Sequence, residues 1–135
     1  MDTHAQSVSK SARWTGLAMS GLVILFLLFD GGIKLVPLEI VTATSAQIGL
    51  PTDVSFARTL GILTLIGVVL YAIPRTSVLG AILLTGYMGG AIATHLRIGS
   101  PLFSHTLFGV YLGLLIWGGL YLREPRLRQL LPFRR

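Results

Sequence analysis

"GLAMSGLVILFLLFDGGIKL", residues 16–35, decides the fold. From Gly16 to Phe29 nothing is more polar than Ser20, and the run then closes on Asp30 and Lys34, four residues apart. With the flanking Trp14 and Thr15 it is long enough, at about 1.5 Å per residue, to cross a hydrocarbon layer of about 30 Å. Backbone polar groups in lipid must be satisfied within the segment, so residues 14–35 read as a membrane helix. Lys10 and Arg13 precede the run as in a secretory signal. The small-residue site Ala43-Thr44-Ser45 lies too far beyond it for ordinary cleavage, so an uncleaved first helix is expected.

Three further apolar stretches follow, residues 56–73, 77–96 and 102–122, with Pro74 and Pro101 at their edges, where proline marks boundaries. The expected fold is all-α, a four-transmembrane-helix bundle over residues 13–123, between a cytoplasmic tail (1–12) and a basic cytoplasmic tail (124–135). The composition agrees: the 135 residues are 53% apolar, with mean hydropathy +0.76, against roughly 45–50% apolar content in soluble domains.

Cysteine is absent, which removes disulfides, thiolate nucleophiles, Cys-ligated zinc and Cys-held iron–sulfur clusters. A redox role therefore needs an external cofactor or substrate. Eleven Lys and Arg against five Asp and Glu give a net charge of +6. These basic residues flank apolar spans and form no patch interleaved with aromatics, so anionic membrane lipid, and not nucleic acid, is the expected partner.

Basic residues in the short loops set the orientation. With both termini in the cytoplasm, the inner side holds Lys10, Arg13, Arg75, Arg123, Arg126, Arg128, Arg134 and Arg135, and the outer side only Lys34, Arg58 and Arg97. A multi-pass protein of a bacterial-type cytoplasmic (inner) membrane follows, with residues 123–135 as a cytoplasmic anchor.

The one long connection, "PLEIVTATSAQIGLP" at residues 37–51, is too short to span and reads as a helix lying at the outer interface. Pro37 suits a first helical turn, Gly49 a left-handed C-cap, and Leu50 a return to apolar contact. Leu38, Val41, Ala46 and Ile48 would face lipid or the top of the bundle. In the third span Ala81, Thr85, Gly89 and Ala93, with Gly86, Gly90 and Thr94 beside them, form small-residue stripes. Gly109, Gly113, Gly118 and Gly119 repeat the device in the fourth. Such residues let helices approach closely in lipid, so tight packing within the chain is expected, with a homo-oligomer or another membrane protein as the alternative contact. Trp14, Tyr71, Trp117 and Tyr121 fall near the inner side, at the depth where aromatic rings commonly meet headgroups.

The topology carries Asp30, Lys34, Arg58, His95, Arg97 and His105 to the outer half, with Thr64 at a depth similar to Asp30. Asp30 is either a partner for Lys34 or Arg58, or a proton acceptor or ligand-orienting carboxylate. Lys34 snorkels to headgroups, holds Asp30 or meets a ligand. His95 and His105, ten residues apart across a short turn, form an interfacial hydrogen-bonded pair or one wall of a polar pocket for a quinone or another lipophile. No HExxH occurs and no metal is expected. Arg58 and Arg97 hold headgroup phosphates or an anionic substrate, and Thr64 bonds back to its own helix or joins the pocket. No complete catalytic constellation is present, and no covalently bound cofactor is expected.

"LLFDGGIKL" at residues 27–35, with "LGILTLIGVVLYAIPRTSVLGAILLTGYMGGAIATHLRIG" at residues 60–99, resembles the DoxX-like family of small four-helix membrane proteins. Shared features are a small or polar residue, glycine and then Lys34 on helix one, the interfacial segment ending at Gly49, the "IPRT" turn, and His95 near the end of helix three. Relatives often resemble "SGxxK" where this chain has Asp30-Gly31-Gly32-Ile33-Lys34, and carry Glu at the position matching Thr64. The acid is thus moved to helix one or its role is missing. Some relatives are linked to thiosulfate and quinone oxidation or to membrane redox complexes. The resemblance implies an accessory or quinone-interacting component of a membrane redox system. The alternative is a non-catalytic lipid- or lipophile-binding or membrane-complex assembly module.

Overall fold

The computed structural model describes residues 8–36 and 39–134, and among them it contains helices and turns but no strand. Pro37, Leu38, Arg135 and the first seven residues of the expected tail lie outside the described residues. Helix α1 is Lys10–Leu35, α2 Glu39–Gln47, α3 Val54–Ala72, α4 Ser77–Ile98, α5 Phe108–Arg123 and α6 Pro125–Arg128. With their preceding turns, α1, α3, α4 and α5 are each long and apolar enough to cross a membrane. The chain is therefore the expected four-span bundle, with α2 as the short helix between the first two spans.

Helix α1 starts four residues earlier than expected, because Ser9 caps it: the Ser9 hydroxyl accepts the Ala12 N–H at 3.1 Å, satisfying a donor that a helix start otherwise leaves unpaired. At the start of α3 the Ser55 hydroxyl donates to Asp53 and holds that carboxyl below the usual carboxylate range.

Gly16, Ser20, Val23, Leu27 and Gly31 form the buried stripe of α1, at the three- and four-residue steps of one helical face. This helix packs against both α3 and α5, and α4 closes the ring between them. Outward, Leu22, Leu25 and Phe29 are each at least 60% exposed. Surface this apolar suits lipid and not water. Because lipid tails are as apolar as leucine, the helices gain little from hiding such side chains from each other and must associate through close packing.

Glycine supplies that closeness at three crossings. A Cβ on Gly16 would lie 2.7 Å from the Gly119 carbonyl oxygen, one on Gly61 2.7 Å from that of Gly31, and one on Gly80 2.8 Å from that of Gly67. The stripes expected on the third span behave differently. Ala81 is buried, but a Cβ on Gly86, Gly89 or Gly90, or on Gly113 of α5, would meet nothing within 4 Å. These glycines are not packing contacts within the chain.

At the end of the bundle that carries the termini, Tyr71 is fully buried instead of lying among headgroups. Its hydroxyl donates to the Ile116 carbonyl at 2.6 Å and lies 2.7 Å from the Ser20 hydroxyl. Arg123 turns inward and donates to Ser20 from Nε at 3.3 Å and Nη2 at 3.2 Å. Arg128 donates to the Tyr121 and Leu122 carbonyls at 2.7 and 2.8 Å, two acceptors that the last turn of a helix leaves unpaired. With Leu127 buried, the first part of the basic tail folds back onto the bundle.

At the opposite end α2 buries Val41 and Ser45. It stops at Gly49, whose φ is +75°. The Leu50 N–H donates to the Ser45 carbonyl at 2.8 Å and the Gly49 N–H to Ala46 at 3.2 Å, the paired bonds of a Schellman cap. This is the left-handed cap expected at Gly49. The fourth span opens with a wide π-helical turn, Leu102–Thr106. There Thr106 and Leu107 donate five residues back, to Pro101 at 3.1 Å and Leu102 at 2.9 Å. Such turns are frequent at functional sites, and this one carries His105.

Candidate ligand-binding cavity

Under α2, between the ends of the four long helices, lies a cavity of about 630 Å³, within the roughly 300–1,000 Å³ range of small-molecule sites. Leu27, Phe56, Leu60, Met88 and Ile92 give it apolar walls, and Val41, Thr44 and Ile48 of α2 form its roof. Asp30, Lys34, Tyr87, His95 and His105 bring polar groups to it.

Lys34 enters the cavity because helical Cα–Cβ bonds tilt toward the N-terminus. At the last turn of α1 its side chain therefore runs back into the bundle. Its ammonium donates to Asp30 Oδ2 at 2.9 Å and to the Tyr87 hydroxyl at 2.9 Å, and it stands 5.5 Å from the Tyr87 ring centre. The bond to Tyr87 ties α1 to α4 across the ring, and the bond to Asp30, one turn back on α1, steadies the ammonium. Since Tyr87 accepts from Lys34, its own proton is directed elsewhere and can serve a ligand acceptor.

The imidazoles of His95 and His105 meet edge to face, with centres 5.9 Å apart. They are neighbours, but each is hydrogen-bonded to a serine and not to the other. His95 Nδ1 is 2.9 Å from the Ser100 hydroxyl, and His105 Nδ1 is 2.7 Å from that of Ser104. Both rings are oriented by short-range partners, at the end of α4 and in the π-helical turn.

Of the seven residues singled out in the sequence, Asp30, Lys34, His95 and His105 line the cavity, and Arg58, Thr64 and Arg97 do not. Arg58 donates to the Leu35 carbonyl at 3.0 Å, an unpaired acceptor at the end of α1. Thr64 is fully buried and bonds back to the Leu60 carbonyl at 2.9 Å. Arg97 donates to the Ile48 carbonyl at 3.1 Å and so straps the end of α2 to the end of α4. Tyr87 was not among the seven. Its signal is an aromatic hydroxyl inside the glycine-rich "TGYMGG", residues 85–90, which gains meaning only once α4 is known to face Lys34.

Among the described residues no three His, Asp or Glu side chains gather where a metal ion could be held. The site offers hydrogen-bond donors, one carboxylate already engaged by Lys34, and apolar walls. That combination suits an amphipathic molecule with oxygen acceptors at one end. No curated protein and no solved structure matches the chain. The model of the DoxX-like family matches residues 18–119, so the chain belongs to the DoxX-like family.

Proposed function

We propose that the protein binds a membrane quinone in the cavity under α2 and serves as an accessory component of a membrane redox system. The observation that carries this reading is the Lys34 ammonium, fixed between Asp30 and Tyr87 at 2.9 Å each, on the wall of a cavity lined mostly by apolar side chains. A quinone ring presents carbonyl oxygens that accept from Lys34, Tyr87 and the imidazoles, while apolar walls take the ring face. Electron transfer is the chemistry a quinone supplies when bound. The chain itself contributes binding, orientation and proton donors. The excess of basic residues near the termini supports a topology with both termini in the cytoplasm and the cavity toward the outer face of an inner membrane.

The test is purification in native lipid, extraction and quantification of bound quinone, and titration of quinone into lipid nanodiscs carrying wild-type protein or Lys34→Met. Binding that weakens about tenfold or more in the variant, equivalent to about 1.4 kcal/mol, supports the reading. Equal affinity in both, or phospholipid alone in the extract, turns it toward the lipid-binding or assembly module.

A further inference from the structure

The geometry points to lateral access: the cavity takes its ligand from the bilayer through the seam between α3 and α4, and a single slim tail stays in that seam while the head lies at Lys34. This rests on the quinone-binding reading and adds the route and the shape of ligand. Three of the four helix seams are closed around the cavity. Gly31 and Gly61 lock α1 to α3, since a Cβ on Gly31 would lie 3.3 Å from the Gly61 carbonyl oxygen. The rings of Phe26 and Phe108 join α1 to α5 at 5.3 Å. A Cβ on Gly109 of α5 would come within 2.9 Å of Ile92 on α4. Above, α2 is held down by Arg97.

The α3–α4 seam differs. Its close approaches, Gly67 to Leu84 and Gly80 to Tyr71, lie in the half of the seam nearer the connecting turn Pro74–Thr76, on the side away from α2. Toward α2 the cavity is lined by Phe56 and Leu60 on the α3 side and by Tyr87, Gly90 and Thr94 on the α4 side. It also reaches Gly86, which lies two residues, about 200° around the helix, from the buried Leu84. A cavity that touches both the buried Met88 and the outward Gly86 must bend around the flank of α4 and break out between the helices. It does so on the α3 flank, because Thr85 and Ile92 on the other flank are engaged by Trp117 and Gly109 of α5. Gly86 and Gly90 therefore form a bare sill, where a Cβ would meet nothing within 4 Å. A sill of two glycines leaves room for one prenyl or acyl chain.

Filling the sill tests this in nanodiscs, with a polyprenyl quinone and the same quinone ring lacking its tail as probes. Gly86→Phe and Gly90→Leu add bulk to open space. Gly113→Leu adds it to a glycine equally open but outside the cavity lining, and controls for bulk alone. The expected result is at least about tenfold weaker polyprenyl quinone binding in both sill variants, with the tail-less ring changed less than about twofold and Gly113→Leu unchanged. Equal loss of both probes, or loss of neither, overturns lateral access, as does full displacement of the polyprenyl quinone by a two-tailed anionic phospholipid. Lys34→Met separates the two readings: it weakens both probes if the head site is right, and if it weakens neither the head site itself is refuted, whatever the sill variants do.

Discussion

Adding one methyl group to Gly80 should weaken the bundle, and adding the same group to Gly86, on the same helix, should not. At Gly80 a Cβ would overlap the Tyr71 backbone nitrogen and lie 2.6 Å from the Tyr71 Cα and 2.8 Å from the Gly67 carbonyl oxygen. Carbon atoms pack best at about 3.5–4.0 Å, and backbone cannot swing aside like a side chain, so α3 and α4 must part by about 1 Å. Overpacking of this kind costs about 1–3 kcal/mol. Both substitutions gain the same preference of alanine over glycine in a helix, about 0.8–1.0 kcal/mol in water, which cancels in the comparison. Gly80→Ala should therefore be about 1–3 kcal/mol less stable than Gly86→Ala, a difference of roughly five- to 150-fold in the unfolding equilibrium. Steric-trap unfolding in bicelles measures it. Equal stabilities, or a less stable Gly86→Ala, would refute the assignment of Gly67 and Gly80 as the crossing and of Gly86 as open.

Two further outcomes follow from the polar contacts. Asp30→Asn leaves the Lys34 ammonium without its counter-charge. The cost should fall between the ~0.2–1 kcal/mol of exposed pairs and the ~3–5 of buried ones, at about 1–2 kcal/mol, and the double variant with Lys34→Met should recover part of it. A double-mutant cycle of unfolding free energies checks this, and strictly additive losses would show that the pair is not coupled. Tyr71→Phe removes the hydroxyl shared by Ile116 and Ser20 and should cost about 0.5–1.5 kcal/mol without changing quinone affinity, because Tyr71 does not line the cavity. A fall in affinity would show that the two ends of the bundle are linked.

The helices and their ends were largely legible in the sequence because each is written locally. Run length gave the spans, and "QIG" before Leu50 and Pro51 gave the left-handed cap. What depends on neighbours was not legible. Small residues permit either close approach or open space, and only the structure separates Gly80, wedged against Tyr71, from Gly86 and Gly90, which border the cavity. Tyr71 and Arg123 have the residue types of an interface anchor, yet each found partners inside the bundle. Asp30, Lys34, His95 and His105 reached one cavity because topology alone brings them to one end. Arg58 and Arg97 share that end, but their long side chains are drawn to helix-terminal carbonyls that no sequence pattern announces.

The most direct measurement is the location of bound quinone. Photo-crosslinking with an azido-quinone in native lipid, followed by peptide mapping, should label the cavity-lining segments of α1 and α4, around Asp30 to Lys34 and Tyr87 to His95, and lose that label in Lys34→Met. Label confined to lipid-facing positions such as Leu25 and Phe29, unchanged by Lys34→Met, would contradict a quinone site in this cavity.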